Sequence, residues 1–146
     1  MKREFDIYGL GAALVDTEIT LSDADLQRMQ VDKGVMTLVD EARQHELIAH
    51  LQDHLVASKR ASGGSAANSI IGASYFGCKN YYSCKVANDD NGRFYLNDMR
   101  SAGVTTPESL GSESGITGKC LVMITPDAER TMNTFLGISG ELSEAE

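Results

Sequence analysis

Gly63-Gly64-Ser65-Ala66-Ala67-Asn68-Ser69, continuing through a run of small apolar residues to Gly77, is the stretch that decides the fold. Paired glycines followed by alanines predict a tight turn that opens into a helix. Two glycines there let a ligand approach the backbone, and the first turn of a helix offers unpaired N–H donors. Asn68 falls on that turn and can both donate to and accept from vicinal hydroxyls. A tight turn with an asparagine near a helix start accounts for the same residues, so composition alone leaves both readings open. Residues 66–76 are small enough for close backbone packing on a sheet, and Gly77 suits the left-handed residue that ends a helix.

Toward the N-terminus, Phe5-Asp6-Ile7-Tyr8-Gly9-Leu10 is a short apolar run that predicts a buried first strand. Thr17-Glu18-Ile19-Thr20-Leu21 alternates polar and apolar side chains, as a strand with one wet face does. Ser22 is placed to cap a short helix to about Gln30, with Asp25 in the supporting position. Lys33-Gly34 marks a turn into a second short strand, Val35-Met36-Thr37-Leu38-Val39. Asp40 caps a longer helix whose Leu47, Ile48, Leu51 and Leu55 share a face. His50 and His54 on it have metal-ligand spacing. No third ligand follows in a recognisable pattern, and solvated surface histidines account for them.

Toward the C-terminus, Asn80-Tyr81-Tyr82-Ser83-Cys84-Lys85-Val86 predicts a strand and Asn88-Asp89-Asp90-Asn91-Gly92 a polar turn. A helix over 92–102 follows, burying Phe94, Leu96 and Met99, with Gly103 ending it. Cys120-Leu121-Val122-Met123-Ile124 and Arg130-Thr131-Met132-Asn133-Thr134-Phe135 read as a hairpin around Thr125-Pro126-Asp127-Ala128-Glu129. Leu142-Ser143-Glu144-Ala145-Glu146 reads as the start of another helix. Strands alternating with helices imply a mostly parallel sheet with helices on its faces.

The chain has 146 residues, enough for one ordinary domain with a sizeable core. Hydrophobic residues at 42% and charged residues at 23% fit a globular protein. A net charge of -8, without a basic cluster, argues against nucleic acid, which needs a cationic stripe to displace counterions. No apolar run is long enough to span a membrane, and the charged Met1-Lys2-Arg3-Glu4 start is unlike a signal peptide. The expectation is a cytoplasmic protein. Cys78, Cys84 and Cys120 form no C-x-x-C pair and read as thiols in a reducing compartment.

Gly9-Leu10-Gly11-Ala12-Ala13-Leu14 superficially resembles a dinucleotide fingerprint, but its sixth position is Leu14 and no helix pattern follows it. A G-x-x-x-x-G-K-[ST] phosphate loop is absent from the sequence.

Taken together, the motifs resemble the PfkB/ribokinase family of sugar and nucleoside kinases, in its adenosine-kinase-like branch. The stretch from Gly63 through Gly77 to Gly92 is similar to the family's first signature. Gly9-Leu10-Gly11-Ala12-Ala13-Leu14-Val15-Asp16 resembles the end of its first strand, where an aspartate binds sugar hydroxyls. Val86-Ala87-Asn88-Asp89-Asp90-Asn91-Gly92 resembles its "VGDDxxG" turn, with Ala87 where glycine is common. Thr117-Gly118-Lys119-Cys120 and Asp127-Ala128-Glu129-Arg130-Thr131-Met132 also fit.

The resemblance implies an α/β fold, part of a ribokinase-like three-layer α/β/α sandwich, with a small β-sheet lid over 17–38. It implies that Asp16 accepts bonds from ring hydroxyls, that Gly63 and Gly64 present backbone to the sugar, and that Asn68 holds a further hydroxyl. Val35 and Met36 become lid contacts, and Arg130 a phosphate contact; an exposed hairpin arginine accounts for Arg130 equally well. A metal site is not expected. ATP and Mg2+ are the cofactors of a full-length member. The catalytic aspartate, in a G-A-G-D signature, and the adenine site are expected in a C-terminal part that residues 1–146 lack, so this chain alone is expected to be inactive. The expected role is the substrate-binding half of an ATP-dependent kinase; the alternative is a non-catalytic sugar- or nucleoside-binding or interaction domain. Self-association through lid strands or an exposed sheet edge is expected as well.

Overall fold

The computed structural model describes residues 4–108 and 114–144. The chain divides into two compact units, one of Met1–Val15, Ala61–Gly118 and Leu136–Glu146, the other of Asp16–Arg60 and Lys119–Phe135.

In the first unit, β1 (Ile7–Leu10) and β5 (Asn80–Ser83) pair in parallel, with Gly9 opposite Tyr82. α4 (Ser65–Tyr75) packs on both strands. Its approach is close: a Cβ on Gly9 would lie 2.6 Å from Ile70, and one on Gly11 would lie 3.0 Å from the Ala66 Cβ. Glycine at both positions permits that approach. The core joins Ala67 and Ile70 to Tyr82, Cys84 and Val86, and to Tyr95, Leu96 and Met99 of α5 (Asp90–Ser101). Tyr95 is fully buried, whereas Phe94, an expected core residue, is only partly so. Gly77 and Gly103 adopt the positive φ of helix-ending residues, as their positions predict.

Strand β1 is not the buried strand that its apolar run suggests. Gly9 faces α4, so alternation turns Tyr8 and Leu10 to the other face, where they are 60% and 64% exposed.

The second unit is built on a five-stranded mixed sheet of order β3-β7-β6-β2-β4. Its strands are β2 (Leu14–Thr20), β3 (Met36–Leu38), β4 (Lys59–Gly63), β6 (Gly118–Ile124) and β7 (Arg130–Phe135). β6 and β7 form the expected antiparallel hairpin, and β3 joins β7 in parallel. The expectation of a mostly parallel sheet fails here because this hairpin supplies the sheet's centre. Residues 17–38 fall within this unit, which also contains 39–60 and the hairpin.

Three helices accompany the sheet: α1 (Asp23–Arg28), α2 (Glu41–His50) and α3 (Gln52–Leu55). Ser22 caps α1 through a complete capping box with Asp25. Asp40 caps α2 by accepting from the Arg43 N–H at 2.8 Å. The single long helix expected after Asp40 is broken at Leu51, which leaves helical geometry. Leu26, Met29, Leu47 and Leu51 form a core with Ile19 of β2, Leu21 just after it, and Leu121 and Met123 of β6. Each fully buried leucine contributes about 2 kcal/mol.

The helix expected from Leu142 does not form over the described residues; a 3-10 turn, Gly137–Glu141, precedes it, and positions 145–146 lie outside them. Among the described residues no helix is long and apolar enough to cross a membrane.

Candidate functional site

In the first unit the loop of Gly63 and Gly64 is held from behind by α5. The Tyr95 hydroxyl donates to the Gly63 carbonyl at 3.2 Å, and the Ser62 N–H donates to Asp98 Oδ2 at 2.8 Å. Gly64 has φ +97°, and a Cβ there would sit 2.9 Å from the Ala12 carbonyl oxygen. No side chain caps the α4 start, so its first N–H groups are not taken up by a capping hydroxyl or carboxylate. Asn68 is exposed on this turn. Gly63, Gly64 and Asn68 therefore share one helix start. Tyr95 and Asp98 were not singled out from the sequence; their i, i+3 spacing on one side of α5 is the signal that marks them.

α5 begins differently. Asp89 occupies its own helix start: Oδ1 accepts from the Gly92 N–H at 2.7 Å and from the Thr117 hydroxyl at 2.7 Å, and Oδ2 accepts from the Thr117 N–H at 2.9 Å. The buried Thr117 Oγ1 in turn accepts from the Ala87 N–H at 2.9 Å. A Cβ on Gly92 would lie 2.1 Å from the Ala87 carbonyl oxygen. The polar turn around Asp89 is thus a clamp made of its own residues.

In the second unit, the strand registers place several candidates on one sheet face. Ile19, Leu121 and Met123 point into the helical core, so the alternate residues point away. Cys120 pairs with Thr134, Val122 with Met132 and Ile124 with Arg130, while Met36 pairs with Met132 across β3 and β7. Asp16 and Glu18, two apart on β2, belong to that same face. Arg130 reaches Glu18 at 3.3 Å, and Asp16 lies close enough to act on Cys120. Asp16, Arg130 and Met36 therefore share a face. Val35 precedes β3 and its carbonyl accepts from the Met132 N–H at 2.9 Å. Val35 and Met36 are exposed, at 46% and 55%.

Asp16 is half-buried, and burial first, then repulsion from Glu18, push its carboxyl from 3.8 up to about 6, against the opposing pull of Arg130. Such a carboxylate is poorly solvated and gains from hydroxyl donors. Burial pushes the Cys84 thiol up to about 12 and the Cys120 thiol up to about 11, which leaves both as unreactive thiols. His54 lies 3.9 Å from Asp25, and among the described residues no three His, Cys, Asp or Glu side chains stand where they could hold a metal ion.

The profile of the pfkB family carbohydrate kinases matches residues 31–146. The chain is similar to an adenosine kinase structure from Sinorhizobium meliloti, at 31% identity and a TM-score of 0.84, over 97% of this chain and 42% of that one. A probable sugar kinase structure from Rhizobium etli aligns at 32% identity and 0.81, over 97% and 43%. A curated relative, 5-dehydro-2-deoxygluconokinase of Halalkalibacterium halodurans, is 29% identical over 77% of this chain and 26% of its own length. The chain thus spans less than half the length of each of these relatives.

Proposed function

The chain belongs to the pfkB family of carbohydrate kinases, and we propose that it supplies the acceptor-binding part of a kinase that phosphorylates a hydroxyl of a sugar or nucleoside. The half-buried Asp16 carboxylate on a strand face shared with Arg130 is the observation that carries this reading. A charged acceptor bonded to two hydroxyls discriminates strongly for a polyol.

In this reading Asp16 accepts bonds from a pair of ring hydroxyls. Gly64, without a side chain, lets the acceptor approach the backbone, and Asn68 bonds a further hydroxyl. Val35 and Met36 supply apolar cover that excludes water, which otherwise competes for a transferred phosphoryl group. Arg130 provides a planar cation for phosphate charge. ATP and Mg2+ supply the phosphoryl group and its charge neutralisation in family chemistry. The roles proposed for this chain's own residues are to bind and orient the acceptor and, through Arg130, to meet phosphate charge.

The test is a thermal-shift series with adenosine, ribose, fructose and 5-dehydro-2-deoxygluconate. At least one compound is expected to raise the melting temperature of the wild-type chain, and Asp16→Ala is expected to abolish that rise. A rise that survives in Asp16→Ala contradicts the assignment of Asp16.

A further inference from the structure

Arg130 begins β7, and β6 lies between it and β2. Strands are spaced about 4.8 Å apart, so the contact with Glu18 spans about two spacings, roughly 9.6 Å. The two side chains close that gap by reaching toward each other over β6. The Arg130 arm stays on the face that carries Asp16 because Glu18, 40% exposed, meets the guanidinium, itself 62% exposed, at 3.3 Å. As a stability device such an exposed pair is worth little. Its consequence lies in where it leaves the cation.

We propose that Glu18 is a positioning residue for the acceptor site, pinning Arg130 along the sheet face so that its charge stands beside Asp16. The inference rests on the reading of Asp16 as the hydroxyl acceptor. Glu18 then acts on Asp16 in two opposed ways. Its own charge repels the Asp16 carboxylate, and the cation that it anchors attracts it, in line with the two opposing influences on Asp16. The charged groups around Asp16 are Glu18 on its own strand and Arg130 on β7. β6 contributes the Cys120 thiol, neutral at ordinary pH, and Lys119; β4, the other neighbour of β2, carries the exposed Lys59 and Arg60.

This arrangement has a signature that a merely structural ion pair lacks. If Glu18 acts only by its own charge, Glu18→Gln lowers the Asp16 midpoint equally whether or not Arg130 is present. If Glu18 also pins Arg130, removing it releases the cation, and part of the lowering is lost.

The experiment is a carbon-13 carboxyl titration of Asp16 in the wild type, Glu18→Gln, Arg130→Gln and the double variant. The expected result is that Glu18→Gln lowers the midpoint more in the Arg130→Gln background than in the wild type, by about half a pH unit or more. Equal lowering in both backgrounds, or no movement in either, overturns the proposal. The titration needs no ligand. Its failure leaves the acceptor role of Asp16 standing, whereas the loss of that role would appear in the Asp16→Ala thermal shifts.

Discussion

Asp16 carries a cost to stability, set by its burial and by Glu18. An acid whose pKa rises from 3.8 unfolded to about 6 folded binds its proton more tightly in the folded chain. The associated stability is fully present below pH 3.8 and is lost as pH rises through 6. Asp16→Asn removes the ionisation and with it the penalty. It should stabilise the chain at pH 7.5 by about 1 kcal/mol after discounting for solvent screening, or about 3 °C in melting temperature. At pH 3.5 the two proteins should melt together. Calorimetry at the two pH values checks this, and equal melting at pH 7.5 would show that Asp16 ionises freely. Gly64 is the other residue whose identity is dictated locally. Its φ of +97° and the Ala12 oxygen 2.9 Å from a would-be Cβ leave no room for alanine. Gly64→Ala should lose about 2 kcal/mol in urea unfolding.

At the scale of elements, α5 has two duties. Its start is tied by Asp89 and Thr117, and Tyr95 and Asp98 hold the Gly63 loop. Asp89→Ala and Thr117→Val should each cost about 2 kcal/mol, the cost of losing a cap or a buried bond to a charge. The double variant should cost less than their sum, because both remove the bond from the Thr117 hydroxyl to Asp89. Strict additivity in urea unfolding would show that the two residues act separately. Several elements were legible in the sequence for local reasons: the Ser22 and Asp40 caps, the glycine-ended α4, and the β6–β7 hairpin. β4 was not, because Lys59-Arg60-Ala61-Ser62-Gly63 has neither apolar alternation nor β-branched residues. Nor was the break at Leu51, since Leu47, Leu51 and Leu55 keep helical spacing across it.

For the molecule as a whole, candidate residues could be named from the sequence, Gly64 and Asn68 from a glycine turn at a helix start and Asp16 from the family resemblance, but their geometry could not. That Asp16, Met36 and Arg130 share a sheet face depends on pairings between segments far apart in the chain, above all the parallel register of β3 on β7. In the sequence Glu18 is one more polar residue on a wet strand face; the fold sets Arg130 against it. Parallel strands are ordinarily covered on both faces, yet β1 leaves Tyr8 and Leu10 exposed, and β3 leaves Met36 and Leu38 55% and 59% exposed at a sheet edge. Such surfaces favour association. Light scattering should show an apparent mass that rises with concentration, and a monomer across the accessible range would contradict this. The most direct measurement of the central claim is an amide NMR titration of the 146-residue chain with the compound that gives the largest thermal shift. The resonances of Asp16, Gly64 and Asn68 are expected to move on addition. Binding that leaves those three unmoved would contradict that claim.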